Sequence, residues 1–460
     1  MTGYWRCIGF LVVVLSVGSP GNAVERGFID KFCIDAPHDR LCSVLPFDQT
    51  DFSSDFDYML IEKGAQDPFD VFSWQAFVAL NWPANHSGTP RTETIGDQPD
   101  APRVWQSFAR RSDIFGPDPA WKHCGEHISD GALLIEDMTQ SDGSVLVDRN
   151  GSFAFYTTYA NPVVERYIRE NGLTNASGQH RLSATGNVAF PRGRLADKTD
   201  GRPASPPSIT LKMAWRIMGS GEEHEYLTRP GVVFIPPPRT TDGEPLCVEA
   251  TLGLVGMHIA MRTQSGNGSE WIWATFEHIA NAPVAKNARN VNSIYTHDLF
   301  PDGCAAPEER KQETTFAFFD ATCRDCSTNA RPASDWRWSS SAPHARDSKG
   351  VPLPRTQAVR CWDIFESTAE VNRLWQTKLK GTVFANYMLI STQWRGTEPN
   401  PLFEHGEVPR YLTNVALETY QQFAKNGSCL GCHATAETVA GTPADFVFML
   451  RRAAPERKNK

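Results

Sequence analysis

The sequence lacks the features that define several large protein classes. Beyond a short apolar run over residues 8–17, no stretch is both long and uncharged enough to span a bilayer. The 45 Lys and Arg residues are interspersed among 53 Asp and Glu residues, so the chain predicts no nucleic-acid partner. We find no G-x-S-x-G elbow and no G-x-x-x-x-G-K loop, and His224-Glu225 lacks the second histidine of a zinc-protease motif. The sequence thus offers no motif of the common hydrolases or nucleotide-binding proteins.

The length and composition are those of a large folded protein. The chain has 460 residues, of which 40% are hydrophobic and 21% are charged, with a formal net charge of −8. This length predicts two or three domains, or one large domain with insertions. The 11 cysteines are the unusual feature, because intracellular proteins rarely carry so many and exported proteins usually pair them.

The N-terminus has the pattern of a secretory signal peptide. Arg6 precedes the apolar run, and Gly21-Asn22-Ala23 provides small residues at the −3 and −1 positions of a cleavage site. We expect residues 1–23 to be removed and the mature protein to be periplasmic or secreted, with no membrane span. Cleavage would remove Cys7 and leave ten cysteines.

The hydrophobic pattern predicts an α+β fold with a large β-rich body and a small helical C-terminal haem-binding region. A helix is indicated over 69–81, a strand over 208–218, and a hairpin from the runs 252–262 and 270–278. We therefore expect a β-rich body with N-terminal helices over 24–325. The Ser-, Pro-, Arg- and Trp-rich stretch 326–356 predicts a linker or long surface loop, and 357–460 the helical region. In that region the pattern predicts helices over 412–423 and from Thr442 onwards.

One motif carries specific chemistry. Cys429-Leu430-Gly431-Cys432-His433 has the C-x-x-C-H spacing of covalent c-type haem attachment. The two thiols would bind the vinyl groups of one haem c, and His433 would be an axial ligand of its iron. Two other interpretations are open: a local disulfide with an incidental histidine, or a zinc site shared with Cys323 and Cys326. The intervening hundred residues disfavour the zinc site.

The second axial ligand is not determined by the sequence. Met449 lies within reach of the motif, although a methionine on an apolar helix face usually packs in a core. His258 and His278 in the predicted hairpin are remote candidates. Strand alternation places Met257 and Met261 on the face opposite His258, so both types cannot point at one iron. The aromatic residues near this hairpin, Trp271, Trp273 and Phe276, predict either a haem pocket or ordinary core packing.

Three segments together resemble a known group of proteins. These are residues 73–83 (SWQAFVALNWP), 271–283 (WIWATFEHIANAP) and 428–436 (SCLGCHATA), the last followed by Asp445-Phe446. In them the chain resembles exported bacterial proteins of the cytochrome c family that carry a single C-terminal C-x-x-C-H motif. The resemblance implies covalent haem at Cys429 and Cys432 with His433 as axial ligand, and implies nothing about a substrate.

These observations favour one function and leave two alternatives. The favoured function is an exported monohaem c-type cytochrome that transfers single electrons to or from a redox partner protein or a small-molecule donor or acceptor. The alternatives are a haem-dependent peroxidase or oxygenase with an open sixth iron position, and a binding module with a structural or sensory haem.

The remaining cysteines complete the thiol count. Once Cys7 and the two motif cysteines are set aside, eight remain, which in an oxidising compartment predicts up to four disulfides. Cys33 with Cys42 is the expected pair because both lie in one short loop. The other six, which include the closely spaced Cys323 and Cys326, can pair in several ways.

Overall fold

A large antiparallel sheet organises the fold of this chain. The structure is a computed structural model and describes residues 33, 40–47, 66–91, 94–116, 119–128, 131–194, 196, 201–263, 271–290, 304–308, 315–395, 407–422 and 427–455. The predicted signal peptide and the turn between the two runs of the hairpin lie outside these residues. Within them the architecture is mixed α+β, as the sequence pattern predicts, with several helices packed against the sheet.

The elements are as follows. The helices are α1 (Gln66–Leu80), α2 (Arg111–Phe115), α3 (Pro119–Cys124), α4 (Pro162–Glu170), α5 (Ala176–Thr185), α6 (Glu366–Lys378) and α7 (Cys429–His433). The strands are β1 (Ala109–Arg110), β2 (Leu133–Ile135), β3 (Ala154–Ala160), β4 (Ser208–Ile217), β5 (Thr228–Ile235), β6 (Leu246–Arg262), β7 (Trp271–His278), β8 (Val284–Asn290), β9 (Arg337–Trp338), β10 (Ala345–Arg346), β11 (Arg360–Asp363), β12 (Tyr387–Arg395) and β13 (Glu407–Val408). Short 3₁₀ helices lie at Val104–Ser107, Gly125–His127, Glu223–Glu225, Pro237–Arg239, Val383–Asn386, Thr419–Gln421 and Phe448–Arg452.

The long strand β6 is the centre of the largest sheet in the described chain. Seven of its nine strands run in the order β1-β3-β4-β6-β7-β12-β13. The first half of β6 pairs with β5 and the second half with β7, while β2 adds to β5 in parallel. The predicted helix over 69–81, the strand over 208–218 and the antiparallel pairing of β6 with β7 are confirmed.

The two faces of the sheet bury different parts of the chain. One face, which we call the core face, carries Met257, Met261 and Phe276 and is covered by α1. Trp74 and Phe77 of α1 pack on Phe276 with ring centroids 5.0 and 4.3 Å away. Helix α1 is buried on nearly all sides rather than on one stripe, because α6 and β12 also pack against it.

The opposite face, which we call the motif face, carries Lys212, His258, Trp273 and Gln393, which occupy paired or alternate positions on β4, β6, β7 and β12. Segments 407–422 and 427–455 pack on this side, and Cys429, Leu430 and Met449 share a hydrophobic cluster with Trp271 and Trp273. The sheet therefore separates the α1 core from the C-x-x-C-H motif.

The C-terminal part of the chain is less helical than its pattern predicts. The predicted helix over 412–423 is wrong where the chain is described, since only Thr419–Gln421 forms a 3₁₀ turn. Asn414 explains this, because its side-chain amide donates to Thr275 Oγ1 at 2.8 Å and to the carbonyl of Phe276 at 2.9 Å. These bonds to β7 hold the segment on the sheet, and tertiary contacts outweigh local periodicity.

The helix predicted from Thr442 is also wrong. Residues Asp445 and Phe446 have φ angles of 46° and 67°, which are incompatible with a right-handed helix, and the chain forms a 3₁₀ helix only from Phe448. Strand β12, at residues 387–395, belongs to the same sheet as the N-terminal strands. The C-terminal region is thus built into the β-rich body by backbone pairing.

The segment 326–356 is packed where it carries tryptophan. It holds the short pair β9–β10, and the indoles of Trp336 and Trp338 are buried in the main core. Their rings lie 5.1 and 6.2 Å from the ring of Phe153 on the neighbouring chain segment. A composition rich in Ser and Pro predicts a solvent-exposed segment. Here the burial of the large apolar surface of each indole stabilises the packed arrangement instead.

Candidate functional site

All eight cysteines outside the motif and beyond the predicted signal peptide are paired. The four disulfides join Cys33 to Cys42, Cys124 to Cys247, Cys304 to Cys361 and Cys323 to Cys326. The expected Cys33–Cys42 pair is confirmed. Cys429 and Cys432 are the free cysteines of the described chain. The local-disulfide interpretation of the motif is therefore not realised, and the Cys323–Cys326 bond leaves those thiols unavailable to a shared zinc ion.

The motif forms one turn of helix with a defined start. The Ser428 hydroxyl is the N-cap and accepts a hydrogen bond from the Gly431 amide at 2.9 Å. A Cβ atom at position 431 would lie 2.9 Å from that hydroxyl, so glycine makes the tight cap feasible. The helix α7 places Cys429 and Cys432 one turn apart on the same side, as two bonds to one porphyrin require.

Gln393 of β12 fixes this turn to the sheet. Its side-chain oxygen accepts from the Leu430 amide at 2.7 Å, and its nitrogen donates to Ser428 Oγ at 3.0 Å. The nitrogen also donates to the carbonyl of Pro409 at 2.6 Å. Because Gln393 is fully buried, these bonds are shielded from water and hold the motif in one position.

The imidazole of His433 is held by its Nδ1 atom. The distance from Nδ1 to the Phe446 carbonyl oxygen is 2.7 Å, so Nδ1 carries the proton and the Nε2 lone pair is available. The ring packs against Trp273 with a centroid distance of 4.0 Å and against Phe448 with 4.9 Å. Burial and then the charges of His258 and Lys212 lower the pKa of His433 to about 4, although the Phe446 bond opposes this. His433 is therefore neutral at physiological pH, the form that binds metals.

The Phe446 carbonyl is itself positioned by Asp445. Arg262 Nη1 lies 2.8 Å from Asp445 Oδ2, Trp271 Nε1 donates to Oδ1 at 3.1 Å, and the Phe190 amide donates to Oδ2 at 2.7 Å. Positive φ angles at two consecutive residues other than glycine, Asp445 and Phe446, are costly. The bonds to Asp445 offset that cost and turn the next carbonyl toward His433.

The surroundings of the two motif thiols favour the protonated form. Burial raises the pKa of Cys429 well above its usual range, and the nearby Glu418 carboxylate raises it further. Burial and Glu418 also raise the pKa of Cys432, which is partly exposed. The thiols are thus less nucleophilic than free cysteine, which disfavours a catalytic or redox role for this pair by itself.

The three residues predicted as candidate distal ligands lie in different surroundings. His258 lies on the motif face, and its Nε2 contacts the two carboxylate oxygens of Glu418 at 3.0 and 3.1 Å. Met449 packs in the cluster that contains Cys429 and Leu430. His278 lies on the core face, stacked on Tyr226 with ring centroids 3.9 Å apart, and is not brought to the motif.

The predicted aromatic pocket is divided by the sheet. Trp271 and Trp273 line the motif, but Phe276 faces α1. Sequence reasoning did not identify Gln393, Glu418, Lys212 or the role of Asp445. Strand alternation assigns each strand residue to a face, but no sequence signal pairs Glu418 or Gln393 with residues so distant along the chain.

Two further observations bear on function. Among the described helices, none is long and apolar enough to cross a membrane. Comparison of the chain with protein-family models, with curated proteins and with solved structures finds no match.

Proposed function

We propose that this protein is an exported monohaem c-type cytochrome that transfers single electrons through haem c bound to Cys429 and Cys432. The observation that carries the proposal is the selective pairing of cysteines. Eight are joined in disulfides, and the two that stay free are those of the C-x-x-C-H motif. A chain that pairs even Cys323 with Cys326, three residues apart, leaves Cys429 and Cys432 for another partner.

The residues present fit a haem. His433 donates its Nδ1 proton to a backbone carbonyl and leaves Nε2 for iron, which is the arrangement typical of metal-binding histidines. Trp273 and Phe448 fix the plane of the imidazole, and Gln393 fixes the helix from which it projects. A bound haem c would supply a one-electron couple whose potential depends on the axial ligands and on burial.

The exposure of the motif supports electron transfer to an external partner. Cys429 is buried against the sheet, whereas Cys432 is partly exposed and Ala434 and Thr435 are exposed. Haem held by the two thiols would be accessible from the partly exposed side of the motif at Cys432. Such access suits exchange with a redox protein or a small donor or acceptor.

The four disulfides also support export to an oxidising compartment. Such bonds persist in periplasmic and secreted proteins and are rare in the cytosol. Covalent haem attachment in the same compartment would consume the two thiols that remain.

The proposal is tested by expression of the full chain with periplasmic c-type haem attachment machinery. We expect haem to stay bound on a denaturing gel and to be lost in the Cys429→Ala/Cys432→Ala variant. The matched control is Cys323→Ala/Cys326→Ala, which alters a C-x-x-C pair not followed by histidine and should keep the haem. A wild-type protein without covalent haem, or a Cys429→Ala/Cys432→Ala variant that retains it, would refute the proposal.

Electron transfer is tested separately by voltammetry of the loaded protein. We expect a reversible one-electron wave and no sustained consumption of peroxide. Rapid peroxide turnover with an organic donor would instead support a haem enzyme.

A further inference from the structure

His258 projects from the sheet toward the motif. In the antiparallel ladder it lies opposite Lys212 on β4 and opposite Thr275 on β7, and directly opposed residues share a face. Trp273, two residues from Thr275 on β7, contacts the His433 ring.

One ring nitrogen of His258 is engaged and the other is not. The side chain is only 6% exposed, and Nε2 is held by the Glu418 carboxylate, which also accepts from the Asn414 amide at 3.2 Å. Nδ1 is buried and has no hydrogen-bond partner among the described residues. Since Nε2 faces the carboxylate, a neutral imidazole would carry its proton on Nε2 and leave the Nδ1 lone pair for a ligand. A buried polar atom without a protein partner has hydrogen-bonding capacity left for a water or a ligand.

We propose that Nδ1 of His258 is the second axial ligand of the iron, opposite Nε2 of His433. This inference rests on the haem attachment proposed above. Coordination through Nδ1 would leave the contact between Nε2 and Glu418 in place. A carboxylate that accepts the second N–H of a ligating histidine fixes the ring and increases its basicity. Glu418 would therefore favour ferric iron and lower the reduction potential.

The other two candidates lack a comparable donor. His278 has both nitrogens engaged, since Nε2 lies 3.0 Å from the Glu225 carbonyl and Nδ1 accepts from the Ala280 amide at 3.2 Å. Met449 follows Phe446 and Phe448, which contact the Nδ1 atom and the ring of His433. That segment contacts His433 through Nδ1 and the ring face, whereas an iron held by His433 would lie beyond Nε2.

The test compares optical and electron paramagnetic resonance spectra of the ferric, haem-loaded full chain. The wild type should be low-spin and lack the weak red absorption band of methionine-ligated iron. His258→Gly should lose the low-spin signal and bind cyanide readily, and added imidazole should restore the low-spin spectrum. Met449→Leu is the matched control, because Met449 is the competing candidate ligand, and this variant should keep the wild-type spectrum. Glu418→Gln should stay low-spin with a raised reduction potential.

The outcomes separate the two proposals. If the wild type carries no covalent haem, the proposed function fails before the ligand is tested. If haem is attached but the wild type is high-spin, or if His258→Gly stays low-spin, His258 is not the ligand and the haem proposal stands. Rescue of His258→Gly by imidazole distinguishes a lost ligand from a misfolded protein, since a misfolded variant would not regain the native spectrum.

Discussion

The side chain of Gln393 on β12 joins the sheet to the backbone of the C-x-x-C-H motif, with its Oε1 atom 2.7 Å from the Leu430 amide nitrogen. The same amide group reaches the N-cap Ser428 and the carbonyl of Pro409. This one buried side chain thus bonds the Leu430 amide and the Pro409 carbonyl, which belong to the two segments that meet at the motif. The position of Cys429 and Cys432 is therefore set by a strand that is distant in sequence.

Replacement of Gln393 should weaken both the fold and haem attachment. We expect Gln393→Leu to lower the free energy of unfolding by about 2–3 kcal/mol, because buried amide and carbonyl groups lose their partners. Haem content per protein, measured from absorbance, should fall as well. Gln376→Leu is the matched control, since Gln376 donates one bond to the Tyr387 carbonyl at the other end of β12. Equal haem content in the two variants would contradict a specific role for Gln393.

Asp445 should control the orientation of His433. In Asp445→Ala the contacts with Arg262, Trp271 and Phe190 are lost, and the buried Arg262 loses its carboxylate partner. We expect a loss of about 3–5 kcal/mol in unfolding free energy and a changed haem spectrum, because the carbonyl that holds Nδ1 of His433 is released. Denaturant titration and optical spectroscopy measure the two effects.

The variant Asp445→Asn separates charge from backbone geometry. Asparagine tolerates positive φ and retains one acceptor, so the spectrum should stay close to that of the wild type despite reduced stability. An unaltered spectrum in Asp445→Ala would show that the Phe446 carbonyl needs no support from residue 445.

Stability should fall as pH rises through the titration of Asp70. Burial raises the pKa of Asp70 to about 7, against hydrogen bonds from Thr368 and Gln66 that lower it. The unfolded chain ionises at about pH 4, so the folded state holds its proton more tightly. The stability that the folded state gains by binding this proton is present in full below about pH 4, declines as pH increases, and is lost above about pH 7.

Asp70→Asn should remove this dependence. We expect the variant to be more stable than the wild type at about pH 8, by on the order of 2–4 kcal/mol, with the difference vanishing near about pH 4. Urea denaturation at a series of pH values measures it. As a control, Thr368→Val removes the hydroxyl that donates to Asp70 Oδ2, and should destabilise the protein most at high pH. If the difference in unfolding free energy between Asp70→Asn and the wild type were constant across this pH range, Asp70 would be excluded as the titrating group.

Thiol titration should follow haem attachment. The exported protein without haem should have two reactive thiols after denaturation without reductant, and the loaded protein should have none. More than two thiols in the haem-free wild type would contradict the disulfide pairing.

The Cys124–Cys247 bond closes a loop of 123 residues. Removal of this bond in Cys124→Ala/Cys247→Ala should therefore lower the free energy of unfolding by about 2–5 kcal/mol and leave haem attachment intact.

Part of this arrangement follows from local sequence. Helix α1 and the strands β4, β6 and β7 are predictable from the sequence because the spacing of apolar residues in each indicates its type. Strand alternation also predicts that His258 faces away from Met257 and Met261. The structure confirms this, because the two methionines lie in the main core and His258 lies on the motif face. The C-x-x-C-H spacing identified the motif because its chemistry lies within five consecutive residues.

The sequence by itself therefore determined the motif, the mixed α+β class and the even set of eight further cysteines. Tertiary structure decided which cysteines pair, which face each candidate ligand meets, and that residues 412–422 and 442–447 form turns rather than helices. It also brought Gln393, Glu418 and Asp445 to the motif. The physical reason is that these side chains act through specific hydrogen bonds to residues distant along the chain, and such bonds leave no periodic pattern in the sequence.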